Sequence, residues 1–302
     1  MMLKLTTDKK RLALYVTVIM TVLATALRLA LGLDSQRLGG GSALLPYVVI
    51  LLFAVAMICM ALLLWKDDTV PETLPPVRGR WLMTVSVALI VIGGVIVLMS
   101  ALDMYRWATT GVTPPPSAVS TGGIDTVTLF LSLILAVLSG IYFIRLGLFW
   151  MSADHEMRGL MPLWALAPTL WIWMRLARYE LSYVSAVEVH KSFYDFAMLL
   201  FMMLFLFTLA RHFTGINQKP SKWLIFYALA TAMLSLSGAL SRVGFFLLGE
   251  GDAYTVGQLA GVPDFAVGVL ALVMSVYWIL FKTRTETLPA DTTPAVDADE
   301  TP

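Results

Sequence analysis

Eight stretches of this chain are about twenty residues long, apolar, and free of charge except toward their ends. They run Leu12–Leu33, Leu44–Trp65, Trp81–Leu102, Val127–Trp150, Leu160–Tyr179, Phe193–Arg211, Trp223–Phe246 and Phe265–Phe281. A helix needs ~20 apolar residues to cross a hydrocarbon core ~30 Å thick. In that core no water meets a free amide or carbonyl, so a single crossing segment closes its backbone bonds internally, as a helix. The expected fold is therefore all-α: a polytopic transmembrane bundle of about eight helices. Composition agrees, because 14% of the residues are charged where ordinary soluble domains hold roughly 25%. The lipid bilayer is then the first partner. A net charge of +1 with no long basic run argues against nucleic acid.

The connections carry loop chemistry: Gly39-Gly40-Gly41, then Pro71, Pro75 and Pro76, then Pro114-Pro115-Pro116 with Gly122-Gly123. Residues 1–284 read as one transmembrane domain. Residues 285–302, TETLPADTTPAVDADETP, form an acidic tail rich in Pro and Thr. It has too little apolar surface to offset the entropy of ordering and is expected to be disordered. Lysine and arginine set the orientation. With the N-terminus inside, fourteen of the 21 basic residues fall on the inner side and seven on the outer. Both termini are thus expected in the cytoplasm. Lys9-Lys10-Arg11 before an apolar run, with Ala24-Thr25-Ala26 later, has the outline of a cleavable leader. The apolar run continues to Leu33, which suits an uncleaved first helix.

Charged groups at membrane depth are expensive and often functional. Arg28 lies about 25 Å along the first run at 1.5 Å per residue, near its outer end, and Arg242 stands similarly in the seventh. Arg175 and Arg178 close the fifth run, three residues apart and so neighbours on a helix face. Asp195 opens the sixth. Glu180, Glu188, His190 and Lys191 are expected in the loop between them, and Asp103 and Arg106 just past the third run. These positions outline an outward-facing cluster of Arg28, Arg175, Arg178, Asp195, Arg242, Glu180, Glu188 and His190. A guanidinium matches carboxylate and phosphate through paired donors, so such a cluster would bind a small anionic solute or a lipid headgroup. The plainer reading has the long side chains reaching out to water, with Asp195 pairing Arg175 or Arg178 to lock the hairpin of helices five and six.

No metal site, catalytic motif or cofactor fingerprint stands in the chain. Glu188-x-His190 with Asp195 fits no established metal spacing, and neither a P-loop nor His-Glu-x-x-His is present. Gly93-Gly94 in the third run and Pro168 in the fifth are candidate helix breaks. Breaks at mid-membrane line binding sites in transporters, although proline and glycine also occur in ordinary membrane helices. Thr128, Ser132, Ala136 and Gly140, spaced by four, permit close helix approach, as do Ala228/Ala232 and Ser237/Ser241. These faces, or the C-terminal tail, could also serve a protein partner.

The stretch from Met161 to Gly215, through Pro162-Leu163-Trp164, Arg175-Leu176 and Ala210-Arg211-His212-Phe213, resembles uncharacterised bacterial multi-span membrane proteins. The resemblance implies a bacterial plasma membrane and no particular activity. Three functions stay open: a transport or solute-binding protein, an accessory or sensor subunit, and a membrane-embedded enzyme acting on lipid or peptide at the outer face. An enzyme needs acid–base or nucleophilic groups at one depth, and only Glu180, Glu188, His190 and Asp195 offer them. The absence of any loop large enough for a soluble domain leans away from an enzyme. The nearly uncharged midplane weighs against ion-coupled transport.

Overall fold

A computed structural model describes residues 2–38, 45–66, 80–110, 123–151, 162–181, 189–214, 221–247 and 261–280. Gly39-Gly40-Gly41, the proline segments, Gly122, the 285–302 tail and Glu188 lie outside them, while Gly123, expected in a loop, opens a helix. The described residues are helical: α1 (Met2–Leu38), α2 (Leu45–Trp65), α3 (Arg80–Thr110), α4 (Gly123–Met151), α5 (Ala167–Leu181), α6 (Val189–Phe213), α7 (Ser221–Leu247) and α8 (Gly261–Leu280), with a 3-10 stretch, Pro162–Leu166, leading into α5. The chain is thus an all-α bundle. Seven of the helices are long and apolar enough to cross a membrane.

The exception is α5, whose α-helical part has only 15 residues. Pro168 is the reason the fifth run is split. Its ring excludes the donor and the space that a helix interior requires, while the first turn tolerates it. The chain accordingly winds as 3-10 up to Leu166 and becomes α-helical at Ala167, so that Pro168 falls in the first turn of α5. Five 3-10 residues and fifteen α residues together reach about 32 Å. That reach is used: Arg145, toward the C-terminal end of α4, stands over Trp164 at 6.0 Å, and Arg175 pairs with α8 at the opposite end.

Six helices form a closed circuit of neighbours, α3–α4–α5–α6–α7–α8 and back to α3. The α1–α2 pair docks outside it against α7. α7 is consequently the most enclosed helix: Ala228, Leu229, Ala230, Ala232 and Met233 expose nothing. The outer faces present large apolar groups instead, such as Ile19, Val22, Leu51, Ile58 and Leu98. Apolar exposure this continuous has no counterpart on a soluble monomer and fits a lipid surround.

The tightest crossing is α3 on α4. A Cβ on Gly93 would stand 2.5 Å from the Gly140 carbonyl oxygen, and one on Gly140 would stand 2.6 Å from the Gly93 carbonyl oxygen. One turn or two further along, a Cβ on Gly147 would meet the Ser86 carbonyl oxygen at 2.6 Å. Glycine is there for backbone approach. α3 runs unbroken through Gly93-Gly94, so these two glycines do not interrupt the helix. The Ser132, Ala136 and Gly140 stripe is buried, and its glycine is spent on this contact within the chain.

The two ends of the bundle differ. At one, Trp65 meets Trp223, Trp150 meets Phe213, Trp81 meets Tyr277 and His212 meets Trp278. Lys9 and Lys222 there donate to the carbonyl oxygens of Lys66 and Trp65. Amphipathic rings and cations of this kind favour the headgroup layer. At the other end the aspartates and arginines converge.

Candidate functional site

Antiparallel alternation brings the C-terminal ends of α1, α3, α5 and α7 to the same level as the N-terminal ends of α6 and α8. The helices run further than the apolar stretches do. α3 continues to Thr110, so Asp103 and Arg106 sit on the helix rather than past it. α6 begins at Val189, which puts His190 and Lys191 on a helix rather than in a loop. Backbone bonds close inside a helix whatever the side chains are, so the helix can outlast its greasy part by one or two turns. Glu180 falls at the end of α5, but its side chain and that of His190 are outside the described set.

Arg175 of α5 and Asp264 of α8 form a two-pronged pair. Nη1 donates to Oδ1 in a very short contact, and Nη2 donates to Oδ2 at 3.0 Å. The Asp264 side chain is 5% exposed and that of Arg175 21%. α5 packs on α4 and α6, whereas α8 packs on α3 and α7, so the two helices stand across the circuit from each other. The ion pair is what joins them at this end. Trp171, one turn earlier on α5, lies under the Arg175 guanidinium at 5.4 Å. Asp103 and Arg106, on the last turns of α3 (Arg80–Thr110), lie at this same end.

Asp195 of α6 faces Arg242 of α7 at 3.9 Å, with their side chains 23% and 33% exposed. Its charge also reaches Arg175. Of the two arginines expected to answer Asp195, Arg175 is taken by both oxygens of Asp264, and Arg242 of α7 also stands near Asp195. Asp264, in the first turn of α8, is the more deeply buried of the two acids. Arg242 is confined in turn by Gly261, where a Cβ would come 2.3 Å from Nη1.

Arg28 of α1 behaves differently. Its guanidinium lies 3.8 Å over the ring of Tyr194. Gly238 of α7 lies beside them, where a Cβ would rest in ordinary van der Waals contact with Arg28 Nη1 and the Tyr194 ring. The Tyr194 hydroxyl donates to the Leu234 carbonyl in a short bond and shares a 2.6 Å contact with Ser237 Oγ. Phe53 of α2 tilts against the other part of the ring at 5.4 Å. Arg28 Nη1 is buried and meets no hydrogen-bond acceptor among the described residues.

The structure thus brings Arg28, Asp195 and Arg242 together around α7, and Arg175 with Arg178 and Asp103 around α5. Asp195 is electrically common to both groups. Arg28, Arg106, Arg175, Arg178 and Arg242 lie with Asp103, Asp195 and Asp264 on the helix ends at this side of the bundle. The residues that sequence reasoning missed are Asp264 and Tyr194. Asp264 stands one residue before the apolar run Phe265–Phe281, yet Gly261-Val262-Pro263-Asp264 carries the marks of a helix start: proline in the first turn and an acid at the positive end of the helix dipole. Tyr194 gave no signal apart from its place beside Asp195.

No protein-family model, curated protein or solved structure matches this chain.

Proposed function

We propose that this multi-pass membrane protein is a solute-binding protein of the transport type, taking a small anion at its arginine-rich end. The observation that carries the reading is the Arg175–Asp264 pair. It ties together two helices that otherwise pack on different partners, at the end where five arginines face three aspartates. Such a pair can open and close the end of the circuit without dismantling any helix contact. The 3-10 to α change at Pro168 gives α5 a place to bend below Arg175. An incoming anion would compete with Asp264 for the guanidinium, which couples binding to opening.

The orientation proposed from the lysine and arginine bias puts both termini in the cytoplasm and this end outward, in a bacterial plasma membrane. The accessory or sensor role is the second reading, favoured by a midplane whose buried polar groups are hydroxyls such as Thr231, Ser235 and Ser275. It predicts no solute flux. The described side chains add nothing that favours an enzyme.

The test is a two-stage measurement on purified full-length protein. Small oxyanions, including phosphate, sulfate and di- and tricarboxylates, are screened for a rise in unfolding temperature in detergent. Those that stabilise are then measured for counterflow in proteoliposomes. Saturable counterflow that Asp264→Asn alters is the expected outcome. Stabilisation without flux would favour the sensor reading, and no stabilisation by any anion would remove anion binding altogether.

A further inference from the structure

We infer that Arg28, laid over Tyr194 beside Gly238, holds a phosphate-type oxyanion, and that the phospholipid headgroup is its natural source. This deepens the reading above, on which it rests, by saying which arginine takes the anion and what the anion is.

The arginines at this end are not equivalent. Arg175 is saturated on one edge by both oxygens of Asp264, and Arg242 stands against Asp195. Arg28 has no carboxylate partner among the described residues. Its charge is met by the π face of Tyr194, an attraction that uses none of its N–H groups. A guanidinium that meets a ring through its face keeps a donor edge for an acceptor. That edge is what binds two oxygens of one phosphate.

An arginine that merely reaches for water would show the reverse arrangement. A snorkelling side chain keeps its apolar stem in the bilayer and its terminal nitrogens in solvent. Arg28 instead folds toward α6 and α7: the residue is half-buried, and its Nη1 is shielded with no acceptor among the described residues while the rest of the guanidinium can meet an incoming group. A buried donor left without an acceptor is costly, the more so when it belongs to a charged group. Gly238 lines the guanidinium at van der Waals distance. Leu234 and Ser237 hold the Tyr194 hydroxyl, so the ring is fixed as a platform and its oxygen is already committed. Phe53 supports the ring from α2.

Depth selects the phosphate source. The apolar window of α1 spans Lys9–Ala30, and Arg28 lies two residues from its end, at the level of the headgroups. α1 and α2 are the helices outside the circuit, so the junction of α1, α2, α6 and α7 lies beside lipid. The phosphodiester is the oxyanion most concentrated in that layer. Free phosphate offers the same chemistry from the water side.

The experiment uses the full chain in a mild non-ionic detergent, with native mass spectrometry and thermal unfolding as paired readouts. Two probes are added separately, phosphatidylglycerol and inorganic phosphate. The wild type should retain one phosphatidylglycerol through collisional activation and be stabilised by it. Arg28→Gln should weaken that binding at least tenfold. Arg28→Lys, which keeps the charge and loses the flat paired edge, should fall between them. Arg11→Gln, on the same helix at the opposite end, should bind as the wild type does. Unchanged elution and unfolding of the lipid-free variants excludes misfolding. Stabilisation by inorganic phosphate alone, lost in Arg28→Gln, would keep the site and change the source to a solute.

If phosphatidylglycerol or phosphate binds and Arg28→Gln leaves the affinity intact while Arg178→Gln abolishes it, the end still binds an anion and the assignment to Arg28 is overturned. If neither probe binds the wild type, the assignment is overturned as well. The anion screen described above then decides separately whether the broader reading survives.

Discussion

Replacing Asp264 by Asn removes one charge from a pair whose acid is 5% exposed and leaves Arg175 facing a neutral amide. Stripping one partner from a buried ion pair costs about 3–5 kcal/mol in general. Two features of the site reduce the figure. The amide oxygen keeps one of the two hydrogen bonds, and Asp195 and Asp103 still act on Arg175. Arg175 is also a fifth exposed, so water repays part of the loss. About 2–3 kcal/mol is the expected destabilisation, which corresponds to a fall in unfolding temperature of about 3–5 °C at ~2.1 cal/mol/K per residue for a chain of 302 residues. Unfolding in detergent is commonly irreversible, so all variants must be compared at one scan rate. The discriminating measurement is a cycle with Arg175→Gln. Removing both charges leaves nothing buried and uncompensated, so the double variant should lose less than the two single losses together. A melting temperature within about 1 °C of wild type for Asp264→Asn would refute the claim that this contact holds α5 to α8. Strict additivity in the cycle would do the same.

Asp195→Asn should destabilise less than Asp264→Asn, because the Asp195 side chain is 23% exposed where that of Asp264 is 5% exposed, and water screens the more exposed charge; a larger loss in thermal unfolding would reverse the ranking of the two acids. Gly93→Ala should cost about 1–3 kcal/mol, since its new methyl runs into the Gly140 carbonyl. Its neighbour Gly94 has nothing within 4 Å of a Cβ, and Gly94→Ala should be neutral or stabilising by about 0.5–1 kcal/mol; equal effects in thermal unfolding would mean that α3 does not cross α4 at Gly93. Tyr194→Phe should cost about 1–2 kcal/mol for its lost hydrogen bonds and leave phospholipid retention in place, because the ring face under Arg28 is kept. Single cysteines placed in segments 67–79 and 285–302 of a Cys59→Ser background should react with an impermeant maleimide only from the cytoplasmic side, and those in 111–122 only from outside. The opposite pattern would invert the orientation.

How far the sequence could be read depended on what kind of quantity each feature is. The bundle and its approximate spans follow from local composition, since the cost of a polar group in lipid is counted residue by residue. Gly140 was legible as a close-packing position, because spacing by four puts small residues on one face wherever the helix ends up. The rough gathering of Arg28, Arg175, Arg178, Asp195 and Arg242 at one level followed from alternating helix direction.

Pairing was a different matter. Whether Asp195 meets Arg175 or Arg242 depends on the rotation of α6 about its own axis, and uniformly apolar helices carry almost no periodic signal to fix it. Asp264 was hidden because the helix begins four residues before its greasy part. Gly93 is a candidate break or an ordinary helix glycine by sequence, where the structure uses it as a point of close approach to Gly140. The sequence by itself determined that this chain lives in lipid as a set of helices, because solvation is local. Only the tertiary structure decided which charge answers which, because that is settled by how neighbouring helices turn their faces toward one another.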